Sequence, residues 1–112
     1  MSAPGKRRAI RSPTPAERAS ERQLMEAVMH LARLRRWEVY HTHDSRRSPP
    51  GYPDLCLCRP PRLLFWECKV GRNQLTPDQA RWLGLLGAIP GVECAVIREA
   101  DWQEGRVERW LQ

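Results

Sequence analysis

"GYPDLCLCRPPRLLFWECK", residues 51–69, decides how this chain is read. Two apolar runs, residues 54–58 and 63–70, flank the turn "RPPR" and read as consecutive strands. A link that short makes them antiparallel neighbours. Asp54 heads the first strand, and Glu67 and Lys69 stand inside the second. Charges in buried strands are costly unless they are paired or bind a metal. Residues two apart on a strand share a face, so Glu67 and Lys69 project to one side. Antiparallel pairing can bring Asp54 near Glu67, although the sequence leaves the register open.

Outward from this hairpin the elements follow in order. Residues 1–19 carry Pro4, Pro13 and Pro15 without apolar periodicity, and read as a disordered basic tail. Ser20 reads as an N-cap, and Leu24, Val28, Leu31 and Leu34 form a helical stripe running to about Arg36. "WEVYHTH", residues 37–43, alternates like a strand, and "DSRRSPPGYP", residues 44–53, is a loop. After the hairpin and the loop "GRNQL", Thr76-Pro77-Asp78-Gln79 is a helix start: a cap, a proline at the first position, an acid for the dipole and a capping-box glutamine. Pro90-Gly91 ends that helix. "VECAVIR" is a fourth strand, and residues 99–111 are a short amphipathic helix or two turns. The order αβββαβα implies an α/β domain over residues 20–112, with a mixed central sheet flanked by helices.

With 112 residues the chain suits one domain with one core. Its net charge of +6 points to a polyanionic partner such as nucleic acid. Lys6, Arg7, Arg8, Arg11 and Arg18 against Glu17 give the first 20 residues +4, leaving +2 for the rest. Arginine outnumbers lysine 17 to 2, which makes the lysine of "ECK" conspicuous. No apolar run approaches the roughly 18 residues of a membrane span, and no apolar stretch follows the basic N-terminus as in a signal peptide. A cytoplasmic protein without membrane contact is expected. Cys56 and Cys58 are spaced C-x-C inside a strand, and Cys68 and Cys94 have no spacing partner, so all four read as buried free thiols.

The strand charges have two readings. In one, Glu67 and Lys69 are a solvated ion pair on an edge strand. In the other, Asp54 and Glu67 hold a divalent cation that relieves their mutual repulsion. Mg²⁺ keeps several waters, so one or two carboxylates suffice, and the carbonyl of Cys68 is a further oxygen ligand. Lys69 beside the ion can orient a water or meet charge building on a phosphate. "E-x-K" alone is too short to decide. "PD", twelve residues and "ExK" on consecutive strands, after an amphipathic helix, are more specific.

At this point the chain resembles the PD-(D/E)xK nucleases, and within them the compact stand-alone VRR-NUC type of phages and bacteria. The matching pieces are "SERQLMEAVMHLARLRRWEVYHT", "GYPDLCLC", "LLFWECKVGRNQLTPDQARWLGLL" and "GVECAVI", covering roughly residues 20–97. The chain departs from the pattern at Arg36, where the family commonly has glycine. The resemblance implies a restriction-endonuclease-like αβββαβ core and a Mg²⁺- or Mn²⁺-dependent DNA endonuclease, in a bacterial cell or phage-infected host. It implies Asp54 and Glu67 as principal metal ligands and Lys69 as the catalytic lysine. The family's first-helix acid falls on Glu21, and its glutamine after the ExK strand on Gln79. By helical spacing Glu21 shares the face of Val28, whereas Glu26 keeps company with Arg22, His30 and Arg33. A helix-dipole role for Glu21 and a capping role for Gln79 are competing explanations.

Weaker signals complete the reading. Ser45, Arg46 and Arg47 can grip a phosphate, or belong to a solvated loop. His41 and His43 with Asp44 imitate a metal cluster, but read better as exposed strand-end residues. Trp37, Trp66, Trp82, Trp102 and Trp110 read as core or interface residues. Trp102, Val107, Trp110 and Leu111 offer apolar surface to a C2 homodimer, and core packing explains them equally. Structure-specific cleavage at junctions, flaps or nicks is the expected activity. The rivals are a restriction-type or repair enzyme, a non-catalytic DNA-binding accessory protein that keeps the fold, and a small zinc module.

Overall fold

The computed structural model describes residues 12–42 and 47–112. Its elements are α1 (Pro15–Leu34), β1 (Glu38–His41), β2 (Leu55–Arg59), β3 (Arg62–Cys68), α2 (Pro77–Gly87), β4 (Val92–Ile97), α3 (Glu99–Gln103) and α4 (Arg106–Trp110). The sheet runs β1-β2-β3-β4. β1 and β2, and β2 and β3, pair antiparallel, whereas β3 and β4 pair parallel through the α2 crossover. The expected mixed sheet flanked by helices is the architecture found.

α1 corrects the expected domain boundary. It starts at Pro15, not after Ser20, because Thr14 caps it: the Thr14 hydroxyl accepts from the Glu17 N–H and the Glu17 carboxylate accepts from the Thr14 N–H. Pro15 occupies the first turn, where its missing N–H costs nothing. Residues 15–19 of the expected tail are therefore helix, and residues 1–11 lie outside the described residues.

The sheet is covered unequally. On one face Leu55, Leu57, Leu64, Trp66, Cys68 and Ile97 bury against Leu24, Val28, Met29 and Ala32 of α1, with Val107 and Leu111 closing the layer. On the other face α2 lies over β4 without burying any residue of its own. Val107 and Leu111 thus belong to the core, and of these four apolar residues Trp102 and Trp110 stay exposed. All four cysteines are free, Cys68 buried and the other three half-buried.

Trp37 ties the C-terminal segment to the sheet. Its indole N–H donates to the Leu111 carbonyl at 2.9 Å. The guanidinium groups of Arg59 and Arg62 lie 4.4 and 5.1 Å from its ring. Arg59 donates to the carbonyls of Arg35 and Leu111, and Arg62 to that of Trp110 and to Glu93. Among the described residues no helix is long and apolar enough to cross a membrane.

α1 ends with Arg36 in the left-handed region, φ 67°. That conformation costs a side-chain-bearing residue about 1 kcal/mol, and glycine adopts it freely. Arg36→Gly should therefore stabilise the protein by about 1 kcal/mol. Urea titration checks this, with the midpoint moving up at unchanged slope.

Candidate active site

The register answers the question left by the hairpin. Leu55 pairs with Trp66, so one step further Asp54 stands opposite Glu67 where β2 begins. The Asp54 N–H donates to Glu67 Oε1 at 3.2 Å, and the Cys68 N–H donates to Asp54 Oδ2 at 3.1 Å. The two carboxyls are close enough to hydrogen-bond to each other. Lys69 Nζ is 3.9 Å from Glu67 Oε2. The three side chains named from the sequence therefore meet on one face, at one end of the β2–β3 hairpin. Glu67 is 2% exposed and Lys69 9%, which excludes a solvated edge pair.

The Lys69 N–H bonds to the Ile97 carbonyl of β4. Along a strand, alternate residues turn both backbone groups to opposite edges, so Cys68 directs its N–H and C=O toward β2, where Asp54 sits. The Cys68 carbonyl thus faces the carboxylate edge. Its thiol lies buried in the opposite face, and desolvation pushes its pKa up.

α2 contributes Gln79 in two capacities. Its Oε1 accepts from the Thr76 N–H at 2.9 Å, closing the capping box, and its Nε2 donates to Glu67 Oε2 at 3.2 Å. The amide caps the helix with one end and holds the buried carboxyl with the other. Gly51 allows this approach. It has φ +97°, and a Cβ there would lie 2.5 Å from the Asp78 carbonyl carbon.

Glu21 comes from α1 on the far side of the sheet. Its Oε2 accepts from Asn73 Nδ2 at 3.0 Å. Burial raises its pKa, Lys69 and the Asn73 bond oppose the rise, and the Asp54 charge adds to it. Glu26 is exposed. Asn73, 4% exposed in the loop after β3, is the participant that sequence reading overlooks, since a polar loop residue carries no sign of burial. Arg47 is exposed in the loop before Asp54, whereas His43, Asp44, Ser45 and Arg46 lie outside the described residues.

Burial, followed by the Asp54 charge, pushes the Glu67 pKa up to about 9. Two carboxyls forced together with one of them protonated are a site short of positive charge, which a divalent cation would supply. The donors are hard oxygens, as Mg²⁺ and Mn²⁺ require. Among the described residues no three His, Cys, Asp or Glu side chains gather around one point, and Glu21 is bonded to Asn73. The donor set thus suits an ion that keeps most of its waters, and offers no cage for zinc.

Among solved structures the chain is similar to one described as a "VRR_NUC domain protein". The TM-score is 0.59 at 20% identity, over 81% of this chain and 87% of that one. At that identity the likeness shows the fold. No family model matches the chain, and no curated protein matches it either.

Two predictions follow from this geometry. Glu67 binds its proton more tightly folded than unfolded, so its contribution to stability is complete below its ordinary value of 4.5 and drains away as pH rises toward about 9. In EDTA the stability of the protein should fall across that window, and Glu67→Gln should flatten the fall, as urea titrations at stepped pH will read. Gly51→Ala, forced into a left-handed φ against the start of α2, should lower stability by about 2 kcal/mol and separate Gln79 from Glu67.

Proposed function

We propose that this protein is a metal-dependent endonuclease of the VRR-NUC type that hydrolyses phosphodiester bonds in DNA. The observation that carries the reading is the buried meeting of Asp54, Glu67 and Lys69, at 3.9 Å between Glu67 Oε2 and Lys69 Nζ, in a fold shared with a VRR_NUC domain protein. Asp54, Glu67 and the Cys68 carbonyl, joined by Glu21, would hold one or two Mg²⁺ or Mn²⁺ ions. When bound, the ion supplies an acidified water and positive charge for the phosphate.

The chain's own residues do the rest. Gln79 keeps the Glu67 carboxylate from rotating, because its own amide is anchored by the Thr76 cap. Lys69 holds its ammonium beside Glu67, where it can orient the attacking water and meet charge developing on a non-bridging phosphate oxygen. Lysine offers a compact charge that can also give up a proton, which arginine cannot. Arg47, with Ser45 and Arg46, would hold the phosphate backbone next to the loop that leads into Asp54. The surplus of arginine suits a polyanion. One such site cuts one strand, so cleavage at a junction or across a duplex requires two protomers, and a homodimer follows as part of the reading.

A panel of labelled DNAs, comprising single strands, duplex, nicked duplex, flaps and a four-way junction, tests this with Mg²⁺, Mn²⁺ or EDTA. Cutting should require the metal. Lys69→Ala and Glu67→Gln should each slow it by about 10²-fold or more while leaving DNA retention in gel shifts intact. Binding without cutting under every metal would instead identify an accessory protein on a nuclease fold.

A further inference from the structure

Asn73, in the β3–α2 loop, is tied at three of its polar atoms, and the fourth is not tied at all. Its N–H donates to the Val70 carbonyl at 3.1 Å, and its carbonyl accepts from Arg98 Nη2 at 2.8 Å. Its Nδ2 donates to Glu21 Oε2 at 3.0 Å. The amide orientation follows from chemistry, since a carboxylate only accepts and the NH₂ end must face it. Oδ1 is left buried without a partner. An orphaned buried amide oxygen is destabilising, so folding alone does not explain an asparagine here. An apolar side chain of the same shape would fill the space without that defect. What leucine could not do is hold Glu21.

Arg98 fixes the asparagine in turn. Its own N–H is capped by Asp101 Oδ2 at 2.8 Å at the start of α3. Two residues before Asn73, the Gly71 N–H donates to the Glu99 carboxylate. The loop is thus pinned at two points to the β4–α3 junction, and this rigid loop grips an acid that belongs to α1.

We propose that Asn73 is a positioning residue for the metal site: its amide holds Oε2 of Glu21 and leaves Oε1 as the oxygen that α1 would turn toward an ion held by Asp54 and Glu67. The proposal rests on the metal-dependent reading of the site. Without this bond Glu21 is a half-buried side chain near the N-terminal end of a long helix, free to turn to solvent. Groups that orient metal ligands typically matter 10- to 100-fold in metal affinity.

The test measures Mn²⁺ binding calorimetrically, without DNA, beside thermal melting. Asn73→Leu keeps the shape and removes the orphan oxygen, so it should melt no lower than wild type and yet bind Mn²⁺ about 10-fold more weakly. Asn73→Ala should weaken binding equally. In a Glu21→Gln background either substitution should change Mn²⁺ affinity by less than about twofold, because the acid through which Asn73 acts is gone. Wild type that binds Mn²⁺ with Asn73→Leu and Asn73→Ala binding equally well overturns the proposal alone, as does a loss that persists undiminished with Glu21→Gln. Wild type that binds no Mn²⁺ overturns both the proposal and the reading beneath it.

Discussion

A carboxyl that is 2% exposed, with a second carboxyl in hydrogen-bond reach, is the constraint around which the domain is organised. Left alone, Asp54 and Glu67 would drive β2 and β3 apart where they meet. Instead, each carboxyl accepts a backbone N–H from the other's strand: Asp54 N–H to Glu67, Cys68 N–H to Asp54. The side chains finish the ladder where the main-chain register gives out. Gln79 and Lys69 supply the remaining contacts to Glu67, one from α2 and one from its own strand. A cluster whose donors come from two strands and a helix exists only when all three are docked. Its electrostatic cost is therefore met by the tertiary fold rather than by any local segment.

Much of this was legible because period-two alternation and a short turn leave few arrangements. Asp54, Glu67 and Lys69 could be assigned to neighbouring strands, with the last two on one face, before any coordinate. Their register could not, since the pairing of Leu55 with Trp66 depends on side chains packed against α1. Gln79 is instructive in another way. Capping is a sufficient reason for it, yet a primary amide has two ends, and the cap uses only the oxygen. The same local grammar occurs twice, as Thr76-Pro77-Asp78-Gln79 and as Thr14-Pro15-Ala16-Glu17. At 14–17 the surrounding prolines and basic residues give the segment the composition of a tail. Capping geometry outweighs that composition and adds the first turn of α1.

Asn73 and Arg36 mark the limit of sequence reading. Asn73 is buried by a helix 52 residues earlier in the chain, which no loop composition can foretell. Arg36 holds a left-handed backbone where the resembling family commonly has glycine. There the departure from the motif pattern changes the side chain and leaves the turn in place, because the chain must still reverse from α1 into β1. Trp37 follows immediately, and its stacking with Arg59 and Arg62 secures that reversal from the sheet side.

The unequal cover of the sheet decides which of its two layers opens more easily. α1 is anchored by four buried side chains, whereas α2 buries none and rests on β4 through half-exposed leucines. Local opening is cheapest where least apolar surface must be wetted. The helix whose Gln79 holds Glu67 is thus the one the domain can lift without disturbing its core. Lifting it would part the Gln79 amide from Glu67 and leave the α1 layer whole, with no dedicated hinge needed.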